Sequence, residues 1–382
     1  MPKNKKPVPR KSSTPPQEKE EALSQALSEL ALTVAEQEYE DMSEYELDFN
    51  RQIKRYLNQQ KNEILYGALE QARFEDSEAY RVLREAIEEH AGTVLLHREN
   101  GPEMEVNAFA IPLFVHSLGG LSETECFQDE QAYEALLESF RSGGLESPHA
   151  KLVLVQHAYD LGEMEGITYG QLHAMVREAA ASLSDKKVRE APALQRSIAG
   201  WAPSPFGADD EAVELRFLLG FAYKRADDAF YRVPAGEEAQ DEFWSARMER
   251  YRAWTETAAP LVARCLARGE KAQALRLNFL YQDLFYGALQ QGRSEHAMLA
   301  MLAQFGEALR AHGGPARAVV TGAEQGGEPV LRVQLFGGEQ LLASAERPYD
   351  AAGELEAEIE DLRDALSTLG VNEIAAELTS PK

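Results

Sequence analysis

Acid–base or metal chemistry in this chain would rest on eight histidines and 64 acidic residues, and none of the common catalytic motifs arranges them. The sequence lacks HExxH, which places two zinc ligands on one helix face, and GxSxG, which presents a nucleophilic serine. It also lacks the GxxxxGK[ST] and GxGxxG loops that hold phosphates. We therefore predict no catalytic residues, no metal site and no cofactor, and the sequence favours a binding protein over an enzyme.

Two of the histidines occupy matching positions near predicted helix ends. His90 precedes an Ala-Gly pair and His312 precedes a Gly-Gly pair, so each is expected in the last turn of its helix. An imidazole there meets the exposed carbonyls and the negative end of the helix dipole. This structural role explains both residues, and the alternative is a pair of equivalent ligand sites.

A long predicted helix carries a stripe of large side chains that either forms core or contacts a partner. Trp244, Met248, Tyr251 and Trp254 keep the spacing of one helix face within "EFWSARMERYRAWTETAAPLVARCLARG". Such stripes are more often buried in a core than used for docking. Together with the two helix-end histidines, these four residues are the candidate interaction residues of the chain.

Two segments of the chain occur twice in the same order, which indicates a duplicated module. The decamer "LYGALEQARF" (65–74) returns as "FYGALQQGRS" (285–294), and "EAIEEHAG" (85–92) returns as "EALRAHGG" (307–314). One matching decamer could arise by chance in a chain rich in Ala, Glu and Leu. The second match, with order preserved, favours duplication.

The surroundings of the two copies also agree. The spacing between the repeated segments differs by two residues, and this slack falls near Asp76 in one copy and near Gly292–Ser294 in the other. Both places carry residues typical of helix breaks. Each copy is followed by a run with strand alternation, a glycine-containing turn, a second such run and a helix. The repeated unit is therefore predicted to be helix, hairpin and helix.

Further predicted strands flank each copy and define a fold class. The strand "KLVLVQHAY" follows the first copy and "ALRLNFL" precedes the second, which suggests the βαββαβ plan. We predict an α+β fold of two related ferredoxin-like (split βαβ) modules, with a helical N-terminal region and a strand/helix insertion. The predicted divisions are a disordered basic tail (1–20), a helical region (21–60), a first α/β module (61–195), a linker (196–211), a strand-pair and helix insertion (212–270) and a second α/β module (271–382).

Four segments of this plan resemble an uncharacterised bacterial family of acidic, two-module α/β cytosolic proteins. They are "SEAYRVLREAIEEHAGTVLLHRENGPEMEVNAFAIPLF", "KLVLVQHAYDLGEMEGITYGQLHAMVREAAASL", "RFLLG" with "DDAFYRV", and "LRLNFLYQDLFYGAL" with the C-terminal hairpin and helix. The resemblance spans roughly residues 60–375 and consists of hydrophobic spacing and a few identities. It supports the domain plan and implies no activity or functional residues.

Composition restricts the partners and the compartment. The net charge is −25, so the acidic body is not expected to bind nucleic acid, whereas the basic tail is the segment that would contact it. No apolar run is long enough to span a membrane. The two cysteines, Cys126 and Cys265, make neither a metal pair nor a disulfide framework, which favours a cytoplasmic location.

Three functional hypotheses remain open. The leading one is a non-catalytic cytosolic binding or adaptor protein, with a protein partner or self-association, because a duplicated scaffold occurs without a catalytic signature. The second is a small-molecule sensor with its ligand between paired ferredoxin-like modules, which is an analogy of fold alone. The third is an unidentified enzyme, which would bring several titratable groups into one pocket.

Overall fold

The computed structural model describes most of the chain, and the chain divides into two compact units, Met1–Ala91 and Gly92–Lys382. Most of the predicted basic tail and of the predicted linker, together with Cys126, lie outside the described residues. The described residues are 16–36, 44–97, 101–118, 127, 129–184, 211–267, 269–281, 284–325, 328–349 and 355–377.

The described part of the first unit is helical. Its helices are α1 (Pro16–Ala35), α2 (Glu44–Asn58), α3 (Asn62–Glu75) and α4 (Ser77–Gly92). Helix α1 packs closely on α3, because Ser24 Oγ donates a hydrogen bond to the Ile64 carbonyl at 3.1 Å and a Cβ added at Gly67 would lie 2.7 Å from Ser24 Oγ. Asp76 separates α3 from α4 in extended backbone, and its carboxylate accepts from the Ala79 N–H at 2.8 Å. This side chain caps the new helix, so the helix break predicted here is confirmed.

The second unit contains two sheets in its described residues, and the first of them is antiparallel. Its strands are β1 (Thr93–Leu96), β2 (Met104–Leu118), β3 (Lys151–Tyr159), β4 (Glu211–Arg225) and β5 (Arg276–Phe279). The long strands β2 and β4 form the central pair. Strand β3 pairs with the other edge of β4, while β1 and β5 share the other edge of β2 at its two ends.

Helices cover both faces of this sheet. They are α5 (Glu130–Ser142), α6 (Leu161–Glu165), α7 (Tyr169–Ser184), α8 (Glu237–Leu266), α9 (Glu270–Ala274) and α10 (Phe285–His312), with a 3₁₀ turn at Ala229–Tyr231. Alternation along β2 sends Phe109, Ile111 and Leu113 to one face, where they share a core with Leu136 of α5 and Trp254 of α8. Helices α7 and α10 pack on the opposite face. Both faces are therefore apolar, and β2 and β4 are buried from two sides.

The second sheet is mixed and smaller. Its strands are β6 (Arg317–Gln325), β7 (Glu328–Gly337), β8 (Gln340–Pro348) and β9 (Glu373–Glu377), and α11 (Leu355–Ser367) connects β8 to β9. Strands β6, β7 and β8 form an antiparallel meander, and β9 pairs parallel with β6. One face packs on helices: Val320, Leu331 and Val333 share a core with Phe305 of α10 and Leu362 of α11.

Helix α10 contributes to the cores of both sheets. Near its start, Gly292 packs on Phe217 of β4, whereas Met298, Met301 and Phe305 belong to the core of the second sheet. With 28 residues it is about 42 Å long. The helix break predicted at Gly292–Ser294 is therefore wrong, because the glycine here provides room for a neighbouring ring inside a continuous helix.

The α+β class is confirmed, but the strand order differs from the predicted ferredoxin-like modules. The strand "ALRLNFL" contributes β5, which pairs with β2 in the first sheet and not with the second module. The predicted insertion (212–270) supplies β4, the central strand of the first sheet, and its second predicted strand is the 3₁₀ turn. Around both copies the order of elements is the predicted one, a helix, an antiparallel hairpin and a later helix, whereas the ferredoxin-like plan around them is not found.

Candidate functional site

A cleft of about 100 Å³ opens at one end of the sheet face that α5 and α8 cover. Its floor is the end of the β2–β4 pair, and its walls come from the end of α5, the 3₁₀ turn, α8 and the segment before α10. The lining residues are Asn107, Ala108, Phe109, Ile111, Phe140, Leu145, Glu146, Ala222, Lys224, Tyr231, Arg247, Tyr251, Tyr281 and Leu284. Aromatic and aliphatic side chains thus surround a small set of polar groups, which is the usual composition of ligand sites.

The register of β2 and β4 sets the floor. Asn107 lies opposite Ala222, and Phe109 lies opposite Gly220. The Phe109 ring covers this glycine so closely that a Cβ added there would lie 2.6 Å from Phe109 Cε1 and 2.8 Å from Leu154 Cδ2. Gly220 therefore allows the Phe109 ring to approach the backbone of β4 closely under the cleft.

Lys224 supplies a largely buried cation at the edge of the floor. Its side chain is 16% exposed and its Nζ lies 3.4 Å from the Glu105 carboxylate on the paired strand. The same Nζ lies 3.9 Å from the centroid of the Tyr231 ring, within cation–π range. The ammonium group is thus held in place from two sides.

A hydrogen-bond network fixes Tyr231 at the wall. The phenol donates to the Glu146 carboxylate and accepts from the Ser147 N–H at 3.0 Å. Ser147 Oγ donates to Asp228 at 2.7 Å, and Asp228 also accepts from the Phe230 N–H at 3.0 Å. Burial, and after it the Glu146 carboxylate, raises the pKa of Tyr231 well above its usual value, so the phenol keeps its proton even at alkaline pH.

Asn107 adds a partly buried amide to the floor. Its Nδ2 donates to Thr93 Oγ1 of β1 at 3.0 Å. Its Oδ1 is shielded from solvent and accepts no hydrogen bond from the part of the chain that the structure describes. A buried acceptor without a hydrogen-bond partner lowers the stability of the folded state. Packing alone therefore does not explain why an amide oxygen lies at this position.

The aromatic stripe predicted on α8 divides between core and surface. Trp254 is 1% exposed and its Nε1 donates to Ser139 Oγ at 2.8 Å, while Tyr251 is buried and its hydroxyl donates to the Leu280 carbonyl at 2.7 Å. Met248 is half-buried and Trp244 is 45% exposed. Of these four residues only Tyr251 lines the cleft. The stripe thus runs from the core past the cleft to the surface.

The two candidate histidines lie in the last turns of α4 and α10 and belong to different units. His90 Nε2 lies 2.7 Å from Asn50 Oδ1 on α2, which ties the two helices together. His312 is exposed and lies beside Gly337 of β7, where an added Cβ would be 2.5 Å from its Cε1. Neither histidine lines the cleft.

A second polar cluster joins α6 to the first sheet, and sequence reasoning missed it. His157 Nε2 lies 3.1 Å from Glu163, and Glu163 forms a capping box with Asp160 at the start of α6. Arg216 is 2% exposed, and its guanidinium lies 2.7 Å from Glu214 and 3.7 Å from Asp160. Because the charges are paired with one another, this cluster holds α6 against β3 and β4.

The described ranges contain neither a metal-binding cluster nor a membrane-spanning helix. Among these residues no group of three His, Cys, Asp or Glu side chains could hold a metal ion. Every helix in the same ranges is too short or too polar to cross a lipid bilayer.

The fold and the cleft define an α+β protein whose second unit carries a cation-lined, aromatic cavity beside an antiparallel sheet. The chain belongs to the family described as "Protein of unknown function (DUF2863)", whose sequence profile matches residues 10–326. No curated protein and no solved structure matches it. The resemblance to a family of unknown function is thereby confirmed, and the matched region contains every residue that lines the cleft.

Proposed function

We propose that the protein binds a small molecule in the cleft of its second unit. The observation that carries the proposal is the convergence of Asn107, Lys224 and Arg247 on a cavity walled by aromatic rings. A mainly apolar cavity with a few oriented polar groups is the usual form of a ligand site. In this proposal the ligand lies beside the first sheet, and not between two ferredoxin-like modules as the sequence analysis suggests.

The network around Tyr231 supports binding by a preformed site. The phenol, the Glu146 carboxylate, the Ser147 backbone and Asp228 hold one another, and Lys224 lies against the phenol ring. Since these side chains are already ordered, binding would cost little further conformational entropy.

A screen of small molecules by thermal and chemical denaturation tests this proposal. A ligand at 100 times its Kd should raise the free energy of unfolding by about 2.7 kcal/mol. Asn107→Leu and Arg247→Gln should weaken the binding of such a compound at least tenfold. The matched control is Lys151→Met, which removes a lysine stacked 5.5 Å from the Tyr223 ring, outside the cleft lining. Absence of any stabilising compound, or equal affinity in all variants, would contradict the proposal.

A protein partner is the second candidate, supported by the outer end of the α8 stripe. Trp244 is 45% exposed and stacks edge-on with Phe243 at 5.1 Å, and Val233 after the 3₁₀ turn is 40% exposed. Exposed tryptophans are frequent at interfaces. A partner bound by the wild type should be lost with Trp244→Ala and kept with Leu299→Ala, which changes an equally exposed residue of α10.

We also propose a cytoplasmic location and an origin of the two helix–hairpin–helix segments by duplication. The presence of only two cysteines supports the former. The repeated decamer and the two helices that end near histidines support the latter, although the sheets around them differ.

A further inference from the structure

The outer segment of α8, residues 237–252, lies largely outside the core. From residue 237 to residue 250 no residue is buried, which is about 21 Å of helix. Tyr251 and Trp254 then enter the core of the first sheet. Helices in proteins are stabilised mainly by the packing of an apolar face, so a stretch of this length without a buried residue is expected to pack on a further surface.

Large apolar side chains lie at the centre of the outer segment. Trp244 is 45% exposed, and its ring meets that of Phe243 edge-on with the centroids 5.1 Å apart. Met248 is half-buried and lies one turn further on, so Trp244, Met248 and the buried Tyr251 share one helix face. Exposed apolar clusters rimmed by polar residues mark interaction sites. The face that packs in the core thus continues onto the surface as an exposed apolar stripe.

The charges of the outer segment change sign at its midpoint. Four carboxylates precede the aromatic pair: Glu237, Glu238, Asp241 and Glu242. Three guanidinium groups follow the pair, against the single carboxylate of Glu249: Arg247, Arg250 and Arg252. The outer segment therefore has an acidic end and a basic end, with its aromatic side chains between them.

A second copy of the same segment matches this order of charges. When two such helices pack antiparallel about the midpoint between residues 244 and 245, position 237 of one helix lies opposite position 252 of the other. Glu237 then faces Arg252 at both ends of the contact, because a two-fold axis repeats each pair. Both side chains are exposed. A parallel arrangement would place like charges together, and a partner of one sign would be repelled by one end of the segment.

We infer that the outer segment of α8 is a self-association surface on which a second copy of the chain packs antiparallel, with the two Trp244 side chains near the axis. The inference rests on the second candidate function, a protein partner, and requires no ligand in the cleft. Half a helix from each copy belongs to the small interfaces of transient complexes, and the net charge of −25 opposes association. We therefore expect a dissociation constant in the micromolar range.

Sedimentation velocity of the full chain over a series of micromolar concentrations tests the inference. The wild type is expected to pass from the mass of one chain, 42.4 kDa, to twice that mass as its concentration rises. Trp244→Ala should weaken the association at least about tenfold, because a tryptophan at the centre of an interface often dominates its binding energy. Leu299→Ala, which changes an equally exposed residue of α10, should leave the association unchanged. Circular dichroism and urea unfolding verify that each variant keeps its fold.

Charge exchange tests the antiparallel arrangement. Glu237→Arg and Arg252→Glu should each weaken the association, because each places like charges opposite one another in the dimer. The two changes combined in one chain restore opposite charges and should recover the association of the wild type. Both positions are exposed, so these variants are expected to fold.

The outcomes separate a second copy from other partners. A wild type that keeps the mass of one chain throughout the series overturns self-association. Dimers that withstand Trp244→Ala, or single charge variants that their combination does not rescue, also overturn the inference, because another surface or arrangement then forms the contact. If the wild type stays monomeric but a different purified protein binds it and not Trp244→Ala, the second copy is wrong and the protein-partner function stands. Binding in the cleft is measured separately, by the denaturation screen.

Discussion

The packing of α10 on β4 predicts that one glycine cannot be replaced by alanine without loss of stability. A Cβ added at Gly292 would lie 2.6 Å from Phe217 Cζ, 2.8 Å from Phe217 Cε1 and 3.2 Å from Leu215 Cδ2. The Phe217 side chain is fully buried, so its ring has no solvent to move into. In the repeated decamer the matching residue is Ala72, and the sequence comparison alone would predict that the replacement is harmless.

Two opposing effects determine the size of the change. Alanine stabilises a helix interior over glycine by about 1 kcal/mol. Overpacking a well-filled core costs about 1–3 kcal/mol. Gly306 of the same helix is the matched control, because a Cβ there meets Arg310 Nη1 at 3.4 Å and Leu369 Cδ2 at 3.9 Å, which are ordinary contacts. Gly306→Ala should therefore show only the gain in helix propensity. The free energy of unfolding of Gly292→Ala should be lower than that of Gly306→Ala by about 1–3 kcal/mol, the cost of overpacking.

Equilibrium unfolding in urea, followed by circular dichroism, measures both free energies of unfolding. The combination of Gly292→Ala with Phe217→Leu should cost less than the sum of the single changes, because the smaller side chain gives the methyl group room. If Gly292→Ala and Gly306→Ala are equally stable, or if Gly292→Ala and Phe217→Leu show no coupling, then α10 does not contact β4 as described.

Three further predictions concern buried polar groups. Trp254→Phe removes the 2.8 Å hydrogen bond to Ser139 Oγ and should lower the free energy of unfolding by about 1–3 kcal/mol in urea titrations; an unchanged value would contradict the buried bond. The pKa of Tyr231 is raised in the folded state, so above about pH 10 the phenol ionises first in the unfolded chain. The free energy of unfolding of the wild type should therefore fall more steeply with rising pH than that of Tyr231→Phe. Parallel curves of the two free energies against pH would refute the raised pKa. Burial, and after it a nearby carboxylate, raises the pKa of Cys265 to about 12. In a Cys126→Ser background, iodoacetamide at pH 8 should therefore alkylate Cys265 on the order of a thousandfold more slowly in the folded protein than in the unfolded protein. Equal rates in the two states would show that the thiol lies at the surface.

Local elements were predicted well because their signals lie within a few residues. The strand "KLVLVQHAY" is β3 from Lys151 to Tyr159, and the helix drawn through the tryptophan stripe is α8. Alternation and helical spacing identify such elements without knowledge of their neighbours. Strand β8 was missed, although Gly338 in the preceding turn has φ +63° and Gly-Gly turns are a known hairpin signal.

Pairing between distant segments was not predictable in the same way. Strand β5 has the pattern of any half-buried strand, and only the tertiary structure assigns it to β2 and not to its neighbours in sequence. The cleft depends on the same choice, because the register of β2 and β4 brings Asn107 and Lys224 together from positions more than one hundred residues apart. Tyr251 was among the predicted residues because the spacing of the aromatic stripe lies within a few turns of one helix. Asn107, Lys224 and Tyr231 carry no spacing that would single them out.

The length of α10 links the cleft to the far sheet mechanically. Leu284, which lines the cleft, is the residue just before the first turn of this helix, and the last turn ends beside β7. For a stiff rod of about 42 Å, a tilt of about 3° at one end displaces the other end by about 2 Å. Because Gly292 packs on β4 and Met298, Met301 and Phe305 pack in the second sheet's core, a tilt of α10 would strain the packing of both sheets.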